Sequence, residues 1–403
     1  MAKGSKKTKA EPAPIEDIKV DTIDDDSIEF EDDGPIIDDL KMPEDVHQGL
    51  WRRFKGFIAS HRTRSLIVIG ILLIAPAAVW AYYESIKPAP VSSQSFEVPK
   101  RPPKPVTKAS PLTGVEIAPE QANRPILAVV IENHPDARPQ SGLGQAGVVY
   151  EALAEGGITR FLAFFLENRP SAIGPVRSLR TYFVDWGLEF NAPVAHVGGN
   201  ADALDMVGPT GMKDINQFAH GASFYRTRDR VAPHNAYTSA DLMDALLKKL
   251  GYDKPADFKP SPRKADTPSS NVLHPVIGIN YSYTGYQVEY RYDATCNCYA
   301  RFLAGQPHID RNDNQQIKVK NVVVEFMPTS YGKSRLGEQT TKMGTPGSGR
   351  AIVFRDGEAI EGTWSKTAHK DRTKLVDASG KEIPLNKGNT WYSIVPTDKT
   401  VSF

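Results

Sequence analysis

The chain has 403 residues, 40% of them hydrophobic and 24% charged, with a formal net charge of +1. That length and composition support ordinary globular domains, and the near-neutral balance, with no basic patch interleaved with aromatics in the C-terminal part, argues against nucleic acid as a partner. The average hides strong segregation: residues 1–10 carry four lysines and no acid, whereas residues 16–45 carry fourteen acids against Lys19 and Lys41.

Residues 1–50 hold Ile15, Ile18, Val20, Ile23, Ile28, Phe30, Ile36, Ile37 and Leu40 scattered through acid, too sparsely to bury a core. The segment reads as a disordered acidic tail, either simply solvated or serving as a docking segment for a basic cytoplasmic partner. Residues 51–64 are basic, with Arg52, Arg53, Lys55, Arg62 and Arg64.

Residues 65–83, SLIVIGILLIAPAAVWAYY, carry no charge and include nine Leu, Ile and Val residues. A helix of about 19 residues rises about 28 Å, close to the thickness of a bilayer core. At roughly −0.3 to −0.6 kcal/mol each, those nine residues contribute about −3 to −5 kcal/mol to insertion, less the cost of Gly70 and Pro76. The run is expected to be a single transmembrane helix; a cleaved signal sequence or a buried core helix is the competing reading. The flanking basic residues place the N-terminus in the cytoplasm and everything beyond residue 84 outside. Residues 84–111 carry seven prolines from Pro88 to Pro111 and read as an extended stalk or a plain tether.

Residues 112–257 mix short apolar runs of strand length (126–132, 148–154, 159–166, 193–197) with helical periodicity. In 178–190, Leu179, Tyr182, Phe183, Trp186 and Phe190 recur at spacings of three and four. Thr238-Ser239-Ala240-Asp241 carries a capping-box pattern for a helix ending in Lys248-Lys249 before Gly251. Residues 258–275 are polar and proline-bearing, a connector. Residues 276–403 read as mostly antiparallel β, with Asp356-Gly357 and Ser379-Gly380 as hairpin signals. The expected class is α+β: a mixed α/β outer domain, then a β-rich one, behind one N-terminal transmembrane helix.

The two cysteines form Thr-Cys-Asn-Cys-Tyr around Cys296 and Cys298. In an extended strand such a bridge would be strained, so free thiols are expected, with a disulfide or a metal as alternatives.

Several ordered segments carry a resemblance: Asn123-Arg124-Pro125-Ile126, Ile131-Glu132-Asn133-His134-Pro135-Asp136-Ala137-Arg138-Pro139-Gln140-Ser141-Gly142-Leu143, Val149-Tyr150-Glu151, Glu155-Gly156-Gly157-Ile158-Thr159-Arg160-Phe161, Gly174-Pro175-Val176-Arg177-Ser178-Leu179-Arg180, Ala232-Pro233-His234-Asn235, Gly305-Gln306-Pro307-His308 and Gly388-Asn389-Thr390-Trp391. In these, residues 111–403 resemble the YerB-like bacterial envelope proteins. The resemblance implies two consecutive domains of unknown function and an outer-surface location. Many such proteins are lipoproteins, and this chain departs from them by its apolar helix and cytoplasmic tail.

Arg177 and Arg180, three apart at a helix start, with Arg226 and Arg230, are the candidate ligand-binding residues for an anionic cell-wall component. Alternatively these arginines pair with Asp185, Glu151 or Glu155 and brace the domain. Glu132, Glu151, Glu155, His196 and His234 are candidate catalytic residues for a hydrolase or transferase acting on an envelope polymer. No serine-nucleophile elbow, zinc-protease helix or phosphate loop accompanies them. No cofactor and no metal site is expected, although His308 and Asp310 joining His134 or His220 around zinc is conceivable. The expected partners are the lipid bilayer, a wall polymer or a wall-synthesis protein, and a cytoplasmic partner for the tail.

Overall fold

The computed structural model describes Arg53, Lys55 and residues 62–88, 105–255 and 257–403. The acidic tail, most of the basic segment and most of the stalk lie outside the described residues. The chain divides into two compact units, residues 1–100 and 101–403. In the first, α1 (Arg62–Ile86) is a 25-residue helix containing Pro76. Its Ile69–Ile86 window is long and apolar enough to cross a membrane, and none of its residues is buried.

The fold of the second unit is α+β, as the sequence implies. Its first half supplies β1 (Leu127–Glu132), β2 (Val148–Leu153), β3 (Thr159–Phe165), α2 (Thr181–Glu189), β4 (Val194–His196), α3 (Ala201–Thr210), β5 (Asp214–Asn216) and α4 (Ala240–Leu250). Its second half supplies β6 (Val276–Asn280), β7 (Gln287–Asp293), β8 (Cys298–Leu303), β9 (Asn321–Met327), β10 (Gly347–Arg355), β11 (Glu358–Lys366), β12 (Lys374–Asp377) and β13 (Thr390–Pro396).

The two halves share one ten-stranded sheet in the order β12-β11-β10-β9-β13-β2-β3-β1-β4-β5. The junction is parallel: β13 lies beside β2 with Trp391 opposite Val149 and Ser393 opposite Glu151, and beside β9 on its other edge. Both faces of this sheet are covered. One packs Leu127, Val129, Ile131, Val149 and Trp391 against Ile277, Tyr290 and Tyr299 of a separate antiparallel sheet that holds β6, β7 and β8 in that order, and against Met243 and Leu247 of α4. The other packs Ala128, Val130 and Tyr150 against Tyr182, Phe183 and Trp186 of α2. Double coverage is why β1, β2, β3, β9 and β13 are buried at every position and read as largely apolar runs rather than as alternating ones.

Local signals are met with small shifts. Ser239, rather than Thr238, caps α4 by accepting a hydrogen bond from the Leu242 amide, and Gly251 closes it at φ 73°. The β10–β11 hairpin turns on Asp356 and Gly357, both at positive φ. The cysteine expectation is corrected: Cys296 and Cys298 form a disulfide. They do not lie along an extended strand; Asn297 sits between them at φ 46°, in the turn joining β7 to β8, and brings their Cα atoms to 5.2 Å.

Candidate functional site

The expectation that Arg177 and Arg180 share a helix face is corrected by the local backbone. Helix α2 begins at Thr181, so Arg180 is its extended N-cap residue. Arg177 precedes it on a segment laid beside β1, where its amide donates to the Val130 carbonyl and its carbonyl accepts from the Val197 amide. The two side chains reach different acids. Arg177 Nε donates to Glu132 Oε1 at 2.9 Å. Arg180 Nε donates to both Glu155 oxygens at 2.9 Å. Burial alone would raise the Glu155 carboxyl, but the Arg180 hydrogen bonds and charge outweigh it and hold it below the usual carboxylate range.

Between them lies Arg160 of β3, which stands opposite Glu132 in the ladder. Its Nη1 donates to the Ser178 carbonyl at 2.9 Å, the same oxygen that Arg180 Nη1 reaches at 3.3 Å, and its buried Nε has no partner among the described residues. Burial first, then the positive charge of Arg180, brings this guanidinium down to a pKa of about 9, with Arg177 adding to the effect. Three guanidinium groups thus lie together, two of them holding a carboxylate each and Arg160 held only by the Ser178 carbonyl. Sequence reasoning did not single out Arg160; its signal is a lone basic residue in the strand-length run 159–166.

The other two predicted arginines serve the loop around His234. Arg226 donates to Asn235 Oδ1 at 2.7 Å. Arg230 donates to the carbonyls of Ala137 and Pro139 and to the Tyr237 hydroxyl. These contacts tie the 226–237 loop to the segment following β1, and they bring His234 over the end of that strand.

There His234 Nδ1 lies 3.1 Å from Glu132 Oε2. Neither atom completes an aligned hydrogen bond, and both are buried. The imidazole rings of His234 and His134 stack with centroids 4.6 Å apart. Asp136 completes the group: its Oδ2 is 3.5 Å from His134 Nδ1 and 4.0 Å from His234 Nε2.

Of the five candidate catalytic residues, the structure therefore brings together Glu132 and His234. Glu155 is held by Arg180 and the Thr341 amide. His196 is fully buried, with Nδ1 on the Gly198 carbonyl at 2.8 Å and Nε2 on Asp214 at 2.5 Å. Glu151 is also sealed, accepting from Arg301, Thr159 and Trp391.

The Glu151 contacts belong to a closed ring. Arg301 donates to Glu151 and to His308 Nδ1; His308 Nε2 meets Gln140 Oε1; Gln140 donates to Asn133; Asn133 donates to Thr159; and Thr159 donates to Glu151. The donor sequence requires a neutral His308 with its proton on Nε2. Burial, reinforced by Arg301 and Arg138, pushes its pKa well below the ordinary histidine value. His308 is thus structural. Asp310 instead accepts from the amides of Gly142 and Gly144. The conceivable zinc set of His308 and Asp310 with His134 or His220 does not form.

These segments, in this arrangement, define a family. Residues 112–253 match the model of the protein of unknown function (DUF3048) N-terminal domain, and residues 277–392 match that of its C-terminal domain. The chain belongs to this DUF3048, YerB-like family. It is 33% identical over 295 residues to the Bacillus subtilis (strain 168) protein described as "Putative lipoprotein YerB", covering 71% of this chain and 86% of that one. It also resembles the crystal structure of the YerB protein from Bacillus subtilis, with a TM-score of 0.66 at 32% identity, covering 73% of this chain and all of that one. A lipoprotein relative and an apolar N-terminal helix associate the protein with the membrane or envelope.

Proposed function

We propose that the protein is an envelope binding protein, anchored by α1 with its N-terminus in the cytoplasm, whose folded part outside binds an anionic cell-wall component. The carrying observation is the Arg160, Arg177 and Arg180 group: Arg177 and Arg180 each hold a carboxylate, Arg160 bonds only the Ser178 carbonyl, and its buried Nε keeps a donor without a partner among the described residues. An incoming phosphate or carboxylate would supply the missing acceptor and balance the charge. The ion pairs already made by Arg177 and Arg180 mean that the ligand competes with Glu132 and Glu155. That favours a polyanion, whose repeated charges add avidity, over a single small anion. A wall-synthesis protein, and a cytoplasmic partner for the acidic tail, are further proposed contacts.

The test is co-sedimentation of the full-length chain, in detergent, with purified sacculi before and after removal of their anionic polymers. The reading expects retention that falls with salt and at least tenfold with Arg177→Ala/Arg180→Ala, since charge-assisted hydrogen bonds each contribute about 1.5–3 kcal/mol. Retention indifferent to these changes, with the fold preserved by circular dichroism, would count against it.

The second reading is a hydrolase or transferase on an envelope polymer. It is favoured by the contact between Glu132 and His234, a carboxylate and an imidazole beside Arg177. Release of soluble fragments from sacculi, lost in Glu132→Gln, would support it.

A further inference from the structure

We infer that His134, Asp136 and His234 form a binding site for a divalent transition metal, with zinc the best match. One ligand atom from each of the three lies within 4.8 Å of the other two. Zinc holds imidazole nitrogen and carboxylate oxygen at about 2.0–2.2 Å, so its tetrahedral donors stand roughly 3.3 Å apart. Closing the present spacing requires shifts of about 1 Å. Asp136, whose side chain is 70% exposed, has room to make them.

A second observation points the same way. Glu132, only 3% exposed, directs Oε2 at His234 Nδ1, and that oxygen has no hydrogen bond among the described residues. Arg177 fixes the opposite oxygen, Oε1. A carboxylate behind one nitrogen of a histidine, turning the other toward an acid and a second histidine, is the support that metal-bound imidazoles characteristically have. It leaves His234 Nε2 facing Asp136. Three protein ligands at an exposed edge leave a fourth position for water or for an anionic group of a ligand. Imidazole and carboxylate donors without thiolate suit zinc, with cobalt as its spectroscopic substitute.

The site adjoins the arginine group through Glu132, and its test is read with the metal alone, so that its failure is distinguishable from failure of the anion-binding proposal. The experiment uses the untagged full-length chain in detergent, stripped with chelator, then titrated with zinc by calorimetry and with cobalt by visible absorption. The expected result is one ion per chain, with a cobalt spectrum typical of a tetrahedral or five-coordinate nitrogen–oxygen site. Asp136→Asn and His234→Ala should each weaken binding at least a hundredfold, and Glu132→Gln about ten- to a hundredfold. Asp136→Asn keeps an exposed side chain of the same shape, so it remains informative should His234→Ala unfold. The proposal is overturned if the stripped wild type takes up no stoichiometric zinc, or if Asp136→Asn binds it as tightly as the wild type.

Discussion

Arg301, from the second family segment, donates to Glu151, from the first, across 2.8 Å, and both side chains are completely buried. The guanidinium also lies 4.2 Å from the Trp391 ring centre, and Trp391 Nε1 donates to the same carboxylate. The pair thus stands where the two halves of the sheet meet, each charge compensated by the other, with the neutral donors Thr159 and Trp391 on Glu151 and the neutral acceptors His308 and Tyr290 on Arg301. Burial would lower the Arg301 pKa, but Glu151 outweighs it and holds the guanidinium above its ordinary value.

Removing one partner leaves the other as an uncompensated buried charge. Arg301→Met is expected to destabilise the second unit by about 3–5 kcal/mol, and Glu151→Gln by a similar amount. Chemical denaturation followed by tryptophan fluorescence measures this directly. A loss below about 1 kcal/mol for both would show that the ring through His308, Gln140, Asn133 and Thr159 does not join the halves energetically.

Two buried groups give stability opposite pH dependences. Glu325, in β9, is raised to a pKa of about 8 by burial and by Glu189. Its folded form holds the proton more tightly than the unfolded chain, so its contribution is fully present below about pH 4.5 and is lost as pH rises toward 8. The slope is about 1.4 kcal/mol per pH unit. His308 is depressed, so its contribution is present above about pH 6.5 and falls as the unfolded chain takes up a proton below it. Just below pH 6.5 the two oppose one another, and Glu325 alone acts from about pH 6.5 to about pH 8. Thermal melts should show the transition temperature falling across that upper window in the wild type and flat there in Glu325→Gln.

Gly174 positions the Arg177 segment. It adopts φ +151°, and a Cβ there would meet Tyr237 at 2.8 Å and the Ala236 carbonyl at 3.0 Å. Its amide and carbonyl pair with Ser141, three residues before Arg177 leans on β1. Gly174→Ala is expected to cost about 2–4 kcal/mol through backbone strain and overpacking, and to weaken anion retention along with it. A melt unchanged from wild type would contradict this.

The strands of both halves were legible because doubly covered strands become apolar runs, and ILAVVIE and TRFLAFF are read by length and composition alone. Their pairing was not. That β13 runs parallel to β2 depends on contacts across some 240 residues, such as Trp391 with Glu151, which no local period encodes. Helix α3 was missed although Asn200 caps it by accepting from the Ala203 amide, because Gly208 and Pro209 interrupt its apolar pattern. At the site, residue type alone points to Glu132, His234 and Arg177, and they do meet. Arg160 is not legible, because a single buried charge has no spacing signature. The Cys296–Cys298 bridge is not legible in the sequence because the turn at Asn297, φ 46°, is embedded in a strand-like pattern.

The most direct measurement of the central claim is the affinity of the full-length chain, in detergent, for a soluble phosphorylated wall polymer, by calorimetry at two salt concentrations. The account predicts saturable binding that weakens with salt and falls at least tenfold in Arg177→Ala/Arg180→Ala. Absence of binding by the wild type, or equal binding by the well-folded double variant, would contradict the assignment of the arginine group as an anion site.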